Sequence, residues 1–259
     1  MTKVIWLAVG FMIILGTPLA FADFETEFSY LGATITVDDT TPTVITSGGA
    51  STSGSTIAFF SGFMSINNLT VSPTGTTGGY TFSGTFINSN SPAGGCCSFP
   101  AIGLNSFSIL NQSGATGTLS ITNGDTGFTL PSENPTTPVI LASSVSAVTA
   151  NTNAGGNATV GFTSFLDINN AQFGTGQGTL PISMNFAVGQ TSFVTANVNA
   201  GTTPFSVTDV ATINLANGDT LSGLLISTTA TTVPESSTWL LLGAGLAWVA
   251  VVRSRKLAL

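Results

Sequence analysis

Short runs of alternating hydrophobic and polar residues recur along most of this chain. In these runs Val, Ile, Leu and Phe tend to occupy every second position, and Thr or Ser lies between them. A period of two places alternate side chains on opposite faces of an extended strand, so the runs predict half-buried β-strands. Seven runs show the pattern: 33–37, 80–87, 106–110, 117–122, 158–165, 178–186 and 205–213.

Turn residues separate these runs at intervals mostly close to a dozen residues. They include Gly-Gly pairs, prolines and Asn-Gly steps, which favour turns and loops. No stretch of residues 23–232 has the pattern of an amphipathic helix. The pattern predicts an all-β fold, with one antiparallel β-sandwich or jelly-roll-like domain of roughly twelve to fourteen strands. A body of 210 residues could also hold two small sandwiches.

One short sequence pattern occurs twice: residues 118–126 and 211–220 each lead a strand-like run into Asn-Gly-Asp-Thr. Asn-Gly tolerates the positive φ angles of tight turns, so the pattern predicts two hairpins. The alternative interpretation makes Asp125 and Asp219 a pair of cation ligands. The repeat would also fit a two-fold sandwich with one hairpin in each half.

The first 22 residues have the three parts of a secretory signal peptide. One lysine supplies the charged region, Val4 to Leu15 form an apolar core of twelve residues, and an Ala-x-Ala cleavage site ends at Ala22. Cleavage there would leave Asp23 as the new N-terminus. The alternative is a retained transmembrane helix, against which the short apolar core and Pro18 argue.

The last 27 residues combine three features in a fixed order. The motif Val233-Pro234-Glu235 comes first, an apolar run of fourteen residues, Trp239–Val252, follows, and the basic residues Arg253, Arg255 and Lys256 come last. The apolar run is shorter than the ~20 residues that cross a bilayer comfortably. Flanking polar residues and snorkelling basic side chains could lengthen the span, but it would anchor the chain only marginally.

These three features, in this order at the C-terminus, resemble the PEP-CTERM sorting signal of exported proteins of Gram-negative bacteria. Ser236 stands where that family usually has a second proline. The resemblance covers roughly the last tenth of the chain. It implies handling by an exosortase, a membrane-embedded cysteine transpeptidase thought to cut near the motif and to release or re-attach the protein at the cell surface. The alternative is an ordinary C-terminal tail anchor, which also needs an apolar span and flanking charge.

The two ends together predict the topology. The export translocon and signal peptidase would handle the N-terminus, and the basic C-terminal residues would stay in the cytoplasm by the positive-inside tendency. We expect a signal peptide over residues 1–22, an exported body over 23–232, and a sorting signal with a short transmembrane helix over 233–259. The precursor would be anchored in the inner membrane, and the processed protein would be at the cell surface or extracellular.

The exported body contains no Lys, Arg or His, because all four basic residues of the chain lie in the targeting segments. Ten of the eleven acidic residues lie in the body, so its formal charge is −10 without the termini. Ser-His-Asp and Cys-His catalytic arrangements therefore lack a base, and the usual zinc sites lack imidazole. Phosphate-binding loops lack their lysine and nucleic-acid binding lacks its electrostatic footprint. We expect a protein that is not an enzyme and has no required cofactor.

Carboxylates could still form two kinds of site. A glycoside hydrolase needs two of them, but Glu25 and Glu27 adjoin the expected new N-terminus, where order is usually poorest, which leaves Glu133 as the best candidate. Calcium accepts oxygens of Asp, Asn and main-chain carbonyls. Its candidate ligands are Asp38, Asp39, Asp125, Asp219, and Asp167 with Asn169 and Asn170. None of them has the spacing of an EF-hand or of a nonapeptide calcium repeat.

Cys96 and Cys97 are the only cysteines, and they are adjacent in a Gly-rich stretch. Export makes oxidation feasible. Neighbours across a trans peptide have Cα atoms ~3.8 Å apart, below the ~4.4–6.8 Å of ordinary disulfides. Three hypotheses remain: a strained vicinal disulfide, two free thiols, or bonds to other chains.

The sequence as a whole predicts a non-enzymatic protein of the cell surface or extracellular matrix, sorted by exosortase and associated with exopolysaccharide or biofilm. Its surface must be rich in Thr, Ser, Asn and Gly, which suits hydrogen bonding with polysaccharide. The alternatives are a calcium-dependent or carbohydrate-binding module and then a glycoside hydrolase. Phenylalanine outnumbers tyrosine eighteen to two. Carbohydrate sites commonly use exposed Trp or Tyr rings, whose polar groups tolerate contact with water. Phenylalanine has no polar group, so we expect the phenylalanines in the core.

Overall fold

The computed structural model describes residues 24–39, 42–60, 63–76, 78–90, 100–129, 138–147, 149–151, 158–186, 190–200 and 204–232. The expected signal peptide, the sorting segment, Glu133 and the pair Cys96-Cys97 lie outside these ranges. Within them we find no helix that is long and apolar enough to span a bilayer. The regular structure of the described residues is β-strand, which confirms the all-β class.

The described residues form seventeen strands. In chain order they are β1 (Phe24–Tyr30), β2 (Ala33–Asp38), β3 (Thr43–Ser47), β4 (Thr56–Phe60), β5 (Phe63–Asn67), β6 (Leu69–Val71), β7 (Tyr80–Ser89), β8 (Ala101–Asn111), β9 (Gly117–Phe128), β10 (Pro138–Ala147), β11 (Thr149–Asn151), β12 (Ala158–Asp167), β13 (Gln177–Gly178), β14 (Ile182–Phe186), β15 (Gln190–Asn199), β16 (Phe205–Leu215) and β17 (Thr220–Thr232). The count exceeds the twelve to fourteen expected because strands as short as β6, β11 and β13 are too brief to show an alternating pattern.

The strands form two sheets that pack face to face as a sandwich. One has eight strands in the order β13-β12-β16-β9-β1-β2-β3, with β14 also paired to β12. The other has nine in the order β15-β10-β17-β8-β7-β5-β4, with β11 paired to β17 and β6 paired to β7. Every pairing is antiparallel. The predicted antiparallel sandwich is therefore confirmed.

Six of the seven predicted runs lie within single strands. The seventh, 178–186, is divided between β13 and β14. Pro181 lies in the gap, and proline cannot donate a hydrogen bond to a sheet ladder. The alternating pattern thus identifies the strands, and proline decides where one of them breaks.

The repeated Asn-Gly-Asp pattern has two different structures. Asn217 and Gly218 form the turn between β16 and β17, and Gly218 has a φ of 84°, so a turn is present. It is not a hairpin, because β16 lies in the eight-stranded sheet and β17 in the nine-stranded sheet. The prediction is also wrong for Asn123-Gly124-Asp125, which lies inside β9 with partners on both sides, β1 and β16. Two complete ladders outweigh the local turn preference. A Cβ on Gly124 would lie 2.8 Å from a ring carbon of Phe173, so this glycine permits close packing of a loop on the sheet.

The acidic residues are divided unequally between the sheets. All eight that the structure describes lie in strands of the eight-stranded sheet or in turns that follow them: Glu25, Glu27, Asp38, Asp39, Asp125, Asp167, Asp209 and Asp219. The nine strands of the other sheet contain no charged residue. We call the two the acidic sheet and the uncharged sheet.

The core lies between the sheets and consists of two hydrophobic clusters. In the larger cluster Phe28 of the acidic sheet packs against Phe82 of the uncharged sheet, with ring centroids 4.8 Å apart in an edge-to-face arrangement. In the smaller cluster Phe128 and Phe205 stack with centroids 6.0 Å apart. Aromatic pairs of this kind add to the stabilisation that comes from burying their area.

Candidate functional site

The structure separates the two aspartates of the repeated pattern. Asp125 lies opposite Val207 on β16, whereas Gly117, at the start of β9, lies opposite Leu215, close to the turn that contains Asp219. At ~3.3 Å per residue, the eight positions from 117 to 125 span roughly 25 Å. Asp125 and Asp219 therefore do not form a common cation site.

The other calcium candidates are engaged in local structure. The Oδ1 atom of Asp167 accepts hydrogen bonds from the main-chain N and from Nδ2 of Asn169, both at 3.0 Å. Oδ1 of Asp39 accepts from the main-chain N of Phe24 at 3.2 Å, and Asp125 accepts from the hydroxyl of Ser89. Within the described ranges, no three acidic, Cys or His side chains are grouped so that they could hold a metal ion.

Glu25 and Glu27 are better ordered than their position near the expected N-terminus predicts. Both lie in β1, which pairs with β2 on one side and with β9 on the other. Their side chains alternate with the buried Phe24, Thr26 and Phe28 and so lie on the outer face of the acidic sheet. The expectation of poor order is wrong because β1 is an internal strand.

A buried polar layer crosses both sheets and lies between the two hydrophobic clusters. Its members are Thr26, Asn123, Ser164 and Asp209 of the acidic sheet and Ser143 and Thr228 of the uncharged sheet. On β16, for example, Val207 belongs to the smaller cluster and Ala211 to the larger one, with Asp209 between them. The layer therefore separates the two clusters, and two further buried polar pairs lie outside it, Ser89 with Asp125 and Thr85 with Ser106.

Hydroxyl groups of the polar layer link the two sheets. The Ser164 hydroxyl lies 2.7 Å from that of Ser143 and 2.6 Å from that of Thr228. Within the acidic sheet, the Thr26 hydroxyl donates to Oδ1 of Asn123 at 2.9 Å. These buried hydrogen bonds hold the two sheets in one relative position. Sliding one sheet over the other would leave buried polar groups unpaired, which costs free energy.

Asp209 is the one member of the polar layer that can carry a charge. It is 3% exposed, and neither carboxyl oxygen makes a hydrogen bond of standard geometry. Burial raises the pKa of Asp209 to about 7, although the nearby hydroxyls of Thr228 and Ser164 lower it in part. A buried carboxyl of this kind carries a proton in much of the population at neutral pH. Since the layer is enclosed, it cannot contact a polymer outside.

Tyr80 links the sheets nearer to the other end of the sandwich. Its hydroxyl donates to the main-chain carbonyl of Gly117 and accepts from the main-chain N of Leu215 at 3.2 Å. The side chain thus joins β7 of the uncharged sheet to β9 and β16 of the acidic sheet. Burial is the main reason that the pKa of Tyr80 rises to about 12.

The outer face of the uncharged sheet carries large apolar side chains beside amides. We call Phe63, Phe86, Asn88, Asn105 and Leu225 the aromatic face. Their strands β5, β7, β8 and β17 are adjacent, so Asn88 lies opposite Phe63, and Asn105 lies opposite both Phe86 and Leu225. The rings of Phe63 and Phe86 stack with centroids 5.6 Å apart and an interplanar angle of 22°. Leu225 is 45% exposed.

The spacing of these groups is set by the sheet. Neighbouring strands are ~4.8 Å apart, so Phe86 and Leu225, two strands apart, are separated by roughly 10 Å with Asn105 between them. Gly103 lies opposite Asn88, and a Cβ there would be only 3.1 Å from Oδ1 of Asn88, so the glycine lets this amide lie close to the sheet. A surface of this kind can stack on the apolar face of a ring and hydrogen-bond to hydroxyl groups around it.

The sequence did not predict the aromatic face because the alternation of buried and outward side chains changes within β7. Phe82 and Phe86 are four residues apart and would share a face in a regular strand. Gly84 has a φ of 60°, whereas the register with β8 is the same on both sides of it, with Ser83 opposite Ser108 and Thr85 opposite Ser106. The alternation therefore shifts at Gly84, so that Phe82 is buried and Phe86 is only partly buried on the outside. The expectation that the phenylalanines lie in the core is wrong for Phe63 and Phe86 of the aromatic face and for Phe193, which is 65% exposed.

The outer face of the acidic sheet is different. Its hydroxyls and amides bond to each other, as in the row in which Thr118 donates to Oδ1 of Asn214 and Nδ2 of Asn214 donates to Thr159 at 3.3 Å. A loop over residues 168–176 lies on part of this face, where Nε2 of Gln172 donates to the carbonyl of Gly124 at 3.1 Å. This face offers carboxylates and satisfied hydroxyls rather than an apolar platform.

The comparisons with known proteins give only weak similarities. TmCBM61 in complex with β-1,4-galactotriose matches with a TM-score of 0.25 and 8% identity, over 60% of this chain and 90% of that chain. A carbohydrate-binding module of the β-sandwich superfamily matches with 0.29 and 8%, over 82% and 85%. A family 12 xyloglucanase from Bacillus licheniformis matches with 0.27 and 16%, over 70% and 99%. The sequence matches no family model and no curated protein. TM-scores and identities this low support no conclusion about what the chain binds or catalyses.

Proposed function

We propose that this protein is an exported, non-enzymatic carbohydrate-binding protein of the cell surface or extracellular matrix, and that its aromatic face binds a neutral polysaccharide. The observation that carries the proposal is the stacked pair of Phe63 and Phe86 on a sheet face without charge, with the amides of Asn88 and Asn105 beside it. Apolar rings with a few placed polar groups are the common chemistry of sites that bind ring-shaped ligands.

The distribution of charge supports a neutral polymer as the ligand. The exported body is anionic, so a polyanion would be repelled, and a polycation would be drawn to the acidic sheet. The aromatic face belongs to the sheet whose strands have no charged residue. A neutral polysaccharide is the partner for which this face has no electrostatic penalty.

The distribution of the acidic residues also supports a protein that binds a polysaccharide without hydrolysing it. Glycoside hydrolysis requires a pair of carboxyl groups beside the scissile bond, ~5–9.5 Å apart. The acidic side chains of the described residues belong to the acidic sheet and its turns. A polymer on the aromatic face would lie on the far side of the uncharged sheet from them.

Binding is tested with the full chain in mild detergent, by affinity electrophoresis in gels that contain neutral or charged polysaccharides. We expect retardation by at least one neutral polymer. The substitution Phe86→Ala should weaken polysaccharide binding at least about fivefold, because a residue that anchors an interface contributes more than ~1 kcal/mol. Thr212→Ala, on the outer face of the acidic sheet, is the matched control and should change nothing. Equal binding by the Phe86 variant and wild type would count against this face.

Delivery by an exosortase is a separate part of the proposal. Its support is the segment from Val233 to Lys256, in which motif, apolar run and basic end follow in order. The test expresses the chain in hosts with and without an exosortase, and locates the C-terminus by mass spectrometry in each cell fraction. We expect truncation near Glu235 only in the host that has the enzyme. Intact Leu259 in the inner membrane of both hosts would overturn this part and leave the binding proposal untouched.

A further inference from the structure

Strand β15 is an unpaired edge of the uncharged sheet in the described residues. It runs from Gln190 to Asn199 and pairs only with β10. Alternate side chains of the strand, those of Thr191, Phe193, Thr195 and Asn197, are exposed on the outer face. The strand contains no charge, proline or bulge along its ten residues. Lysine, proline and bulges are the features by which edge strands ordinarily avoid pairing with other chains.

The backbone of β15 shows which groups face away from the sandwich. In an antiparallel strand the N–H and C=O of one residue point to the same side, and the direction alternates along the strand. The N–H of Asn199 donates to Oε1 of Gln177 at 2.9 Å, and its carbonyl accepts from Nε2 of Gln177 at 2.8 Å, both on the side away from β10. The N–H and C=O groups of Thr191, Phe193, Thr195 and Asn197 therefore point the same way.

The other sheet edges are less suited to pairing. Strands β3, β4 and β14 have five residues each, and β13 has two. Strand β3 lies beside β2, which carries Asp38 next to Glu25 of β1, so two copies joined at β3 would bring these carboxylates close together. Strand β15 is the longest edge and belongs to the sheet whose strands have no charge.

We propose that the β15 edge pairs with the β15 edge of a second copy of this chain, antiparallel, so that the two uncharged sheets become one continuous sheet. The charge distribution selects this partner. Two anionic bodies repel each other, and contact through β15 joins the sheets whose strands have no charge and leaves the outer faces of both acidic sheets in solvent. Main-chain hydrogen bonds provide the affinity in such strand addition, and a pairing of one edge with itself closes as a two-fold dimer.

The test is sedimentation equilibrium of the full chain in density-matched detergent, over a range of protein concentrations. We expect wild type to reach the mass of two chains, twice 26.2 kDa. Two edge variants should weaken the dimer at least roughly tenfold, which corresponds to ~1.4 kcal/mol. Thr195→Pro removes an N–H that points away from β10 and so spares the ladder within the chain. Phe193→Lys places a charge on the edge.

Ile45→Lys on β3 is the matched control, because it adds the same charge to an exposed side chain of another edge strand. We expect this variant to dimerise like wild type. A wild-type protein that stays a single chain at all concentrations would overturn the proposal, as would a dimer that both β15 variants leave intact. A dimer that only Ile45→Lys disrupts would place the interface on β3 instead. Far-ultraviolet circular dichroism of each variant shows that the sandwich has folded.

Discussion

The two sheets of this sandwich are built from the same kinds of residue, but they differ in charge. Each has an inner face of Val, Ile, Leu and Phe and an outer face rich in Thr, Ser and Asn. The strands of the acidic sheet carry six of the eight described acids, the other two lie in turns that follow its strands, and a loop covers part of its outer face. The uncharged sheet has apolar rings on its outer face and a long open edge. We infer that one sheet keeps the protein dispersed and the other makes the contacts.

The difference extends into the core. The acidic sheet contributes four members of the buried polar layer, including the carboxyl of Asp209, whereas the uncharged sheet contributes only hydroxyls. Elsewhere between the sheets the contact is mostly apolar, apart from the Tyr80 bridge and the hydrogen bond from Ser89 of β7 to Asp125 of β9. Because burial raises the pKa of Asp209, the stability of the sandwich should depend on pH through this group.

The largest expected effect is on this pH dependence. The pKa of Asp209 is about 7 in the folded protein and near its ordinary value of 3.8 in the unfolded chain. A carboxyl whose folded pKa is raised favours the native state while it is protonated. The contribution of Asp209 to stability is thus fully present below pH ~4 and is lost as the pH rises to ~7. A shift of three units corresponds to up to about 4 kcal/mol.

Urea unfolding of wild type and of Asp209→Asn between pH 4 and pH 8 measures this contribution. The amide cannot ionise, so the variant should gain in free energy of unfolding relative to wild type as the pH rises. Glu27→Gln removes a carboxyl from the outer face of the same sheet and serves as the control. A difference between wild type and the Asp209 variant that stays the same at every pH would show that Asp209 does not titrate in this range.

A smaller effect is expected at Tyr80, where an uncharged group links the sheets. Tyr80→Phe leaves the N–H of Leu215 and the carbonyl of Gly117 without their partner, which costs about 1–3 kcal/mol for a buried group. Tyr30→Phe is the control, because its ring packs against Tyr80 with centroids 5.0 Å apart. No hydrogen bond of the Tyr30 hydroxyl is seen among the described residues. Thermal unfolding at neutral pH should show the larger loss for Tyr80→Phe, and equal losses would contradict the bridge.

Much of the fold follows from the sequence because alternation reports burial directly. The runs at 158–165 and 205–213 even contain the signal for the polar layer. Ser164 shares the parity of Phe162 and Leu166, and Asp209 shares that of Val207 and Ala211. A polar residue on the apolar side of a strand predicts a buried polar group. It does not show which strands bring such residues to one level, since that depends on long-range pairing.

The candidate site was not predictable in the same way. The outward position of Phe86 depends on the positive φ of Gly84, and a glycine within a strand pattern does not by itself reveal that the alternation of side chains changes there. The strand position of Asn123 depends on the two neighbours of β9, which override a local turn preference. Both errors have one cause, because local sequence cannot show what tertiary pairing imposes.

A substitution on each outer face tests the functional side of the comparison. Ser227→Asp places a carboxylate on the uncharged sheet, opposite Gly103 and next to the strand positions of the aromatic face. We expect binding of a neutral polysaccharide to weaken roughly tenfold, because the hydrated charge opposes close contact with a sugar ring. Thr212→Asp on the acidic sheet should leave binding unchanged. Both should alter stability by less than about 0.5 kcal/mol. Equal binding by the two variants would remove the functional distinction between the faces.

The smallest effect is expected from calcium, which would act through the acidic sheet. A cation that binds only the folded state raises the melting temperature in proportion to its affinity and concentration. The candidate ligands Asp125 and Asp219 lie roughly 25 Å apart along the sheet, and Asp167 is bonded to Asn169 in its own turn. We therefore expect millimolar calcium and a chelator to give the same melting temperature within about 1 °C, a shift that corresponds to only a few tenths of a kcal/mol. A rise of several degrees with calcium, abolished by Asp167→Asn, would show that this sheet has a ligand of its own and does more than keep the protein dispersed.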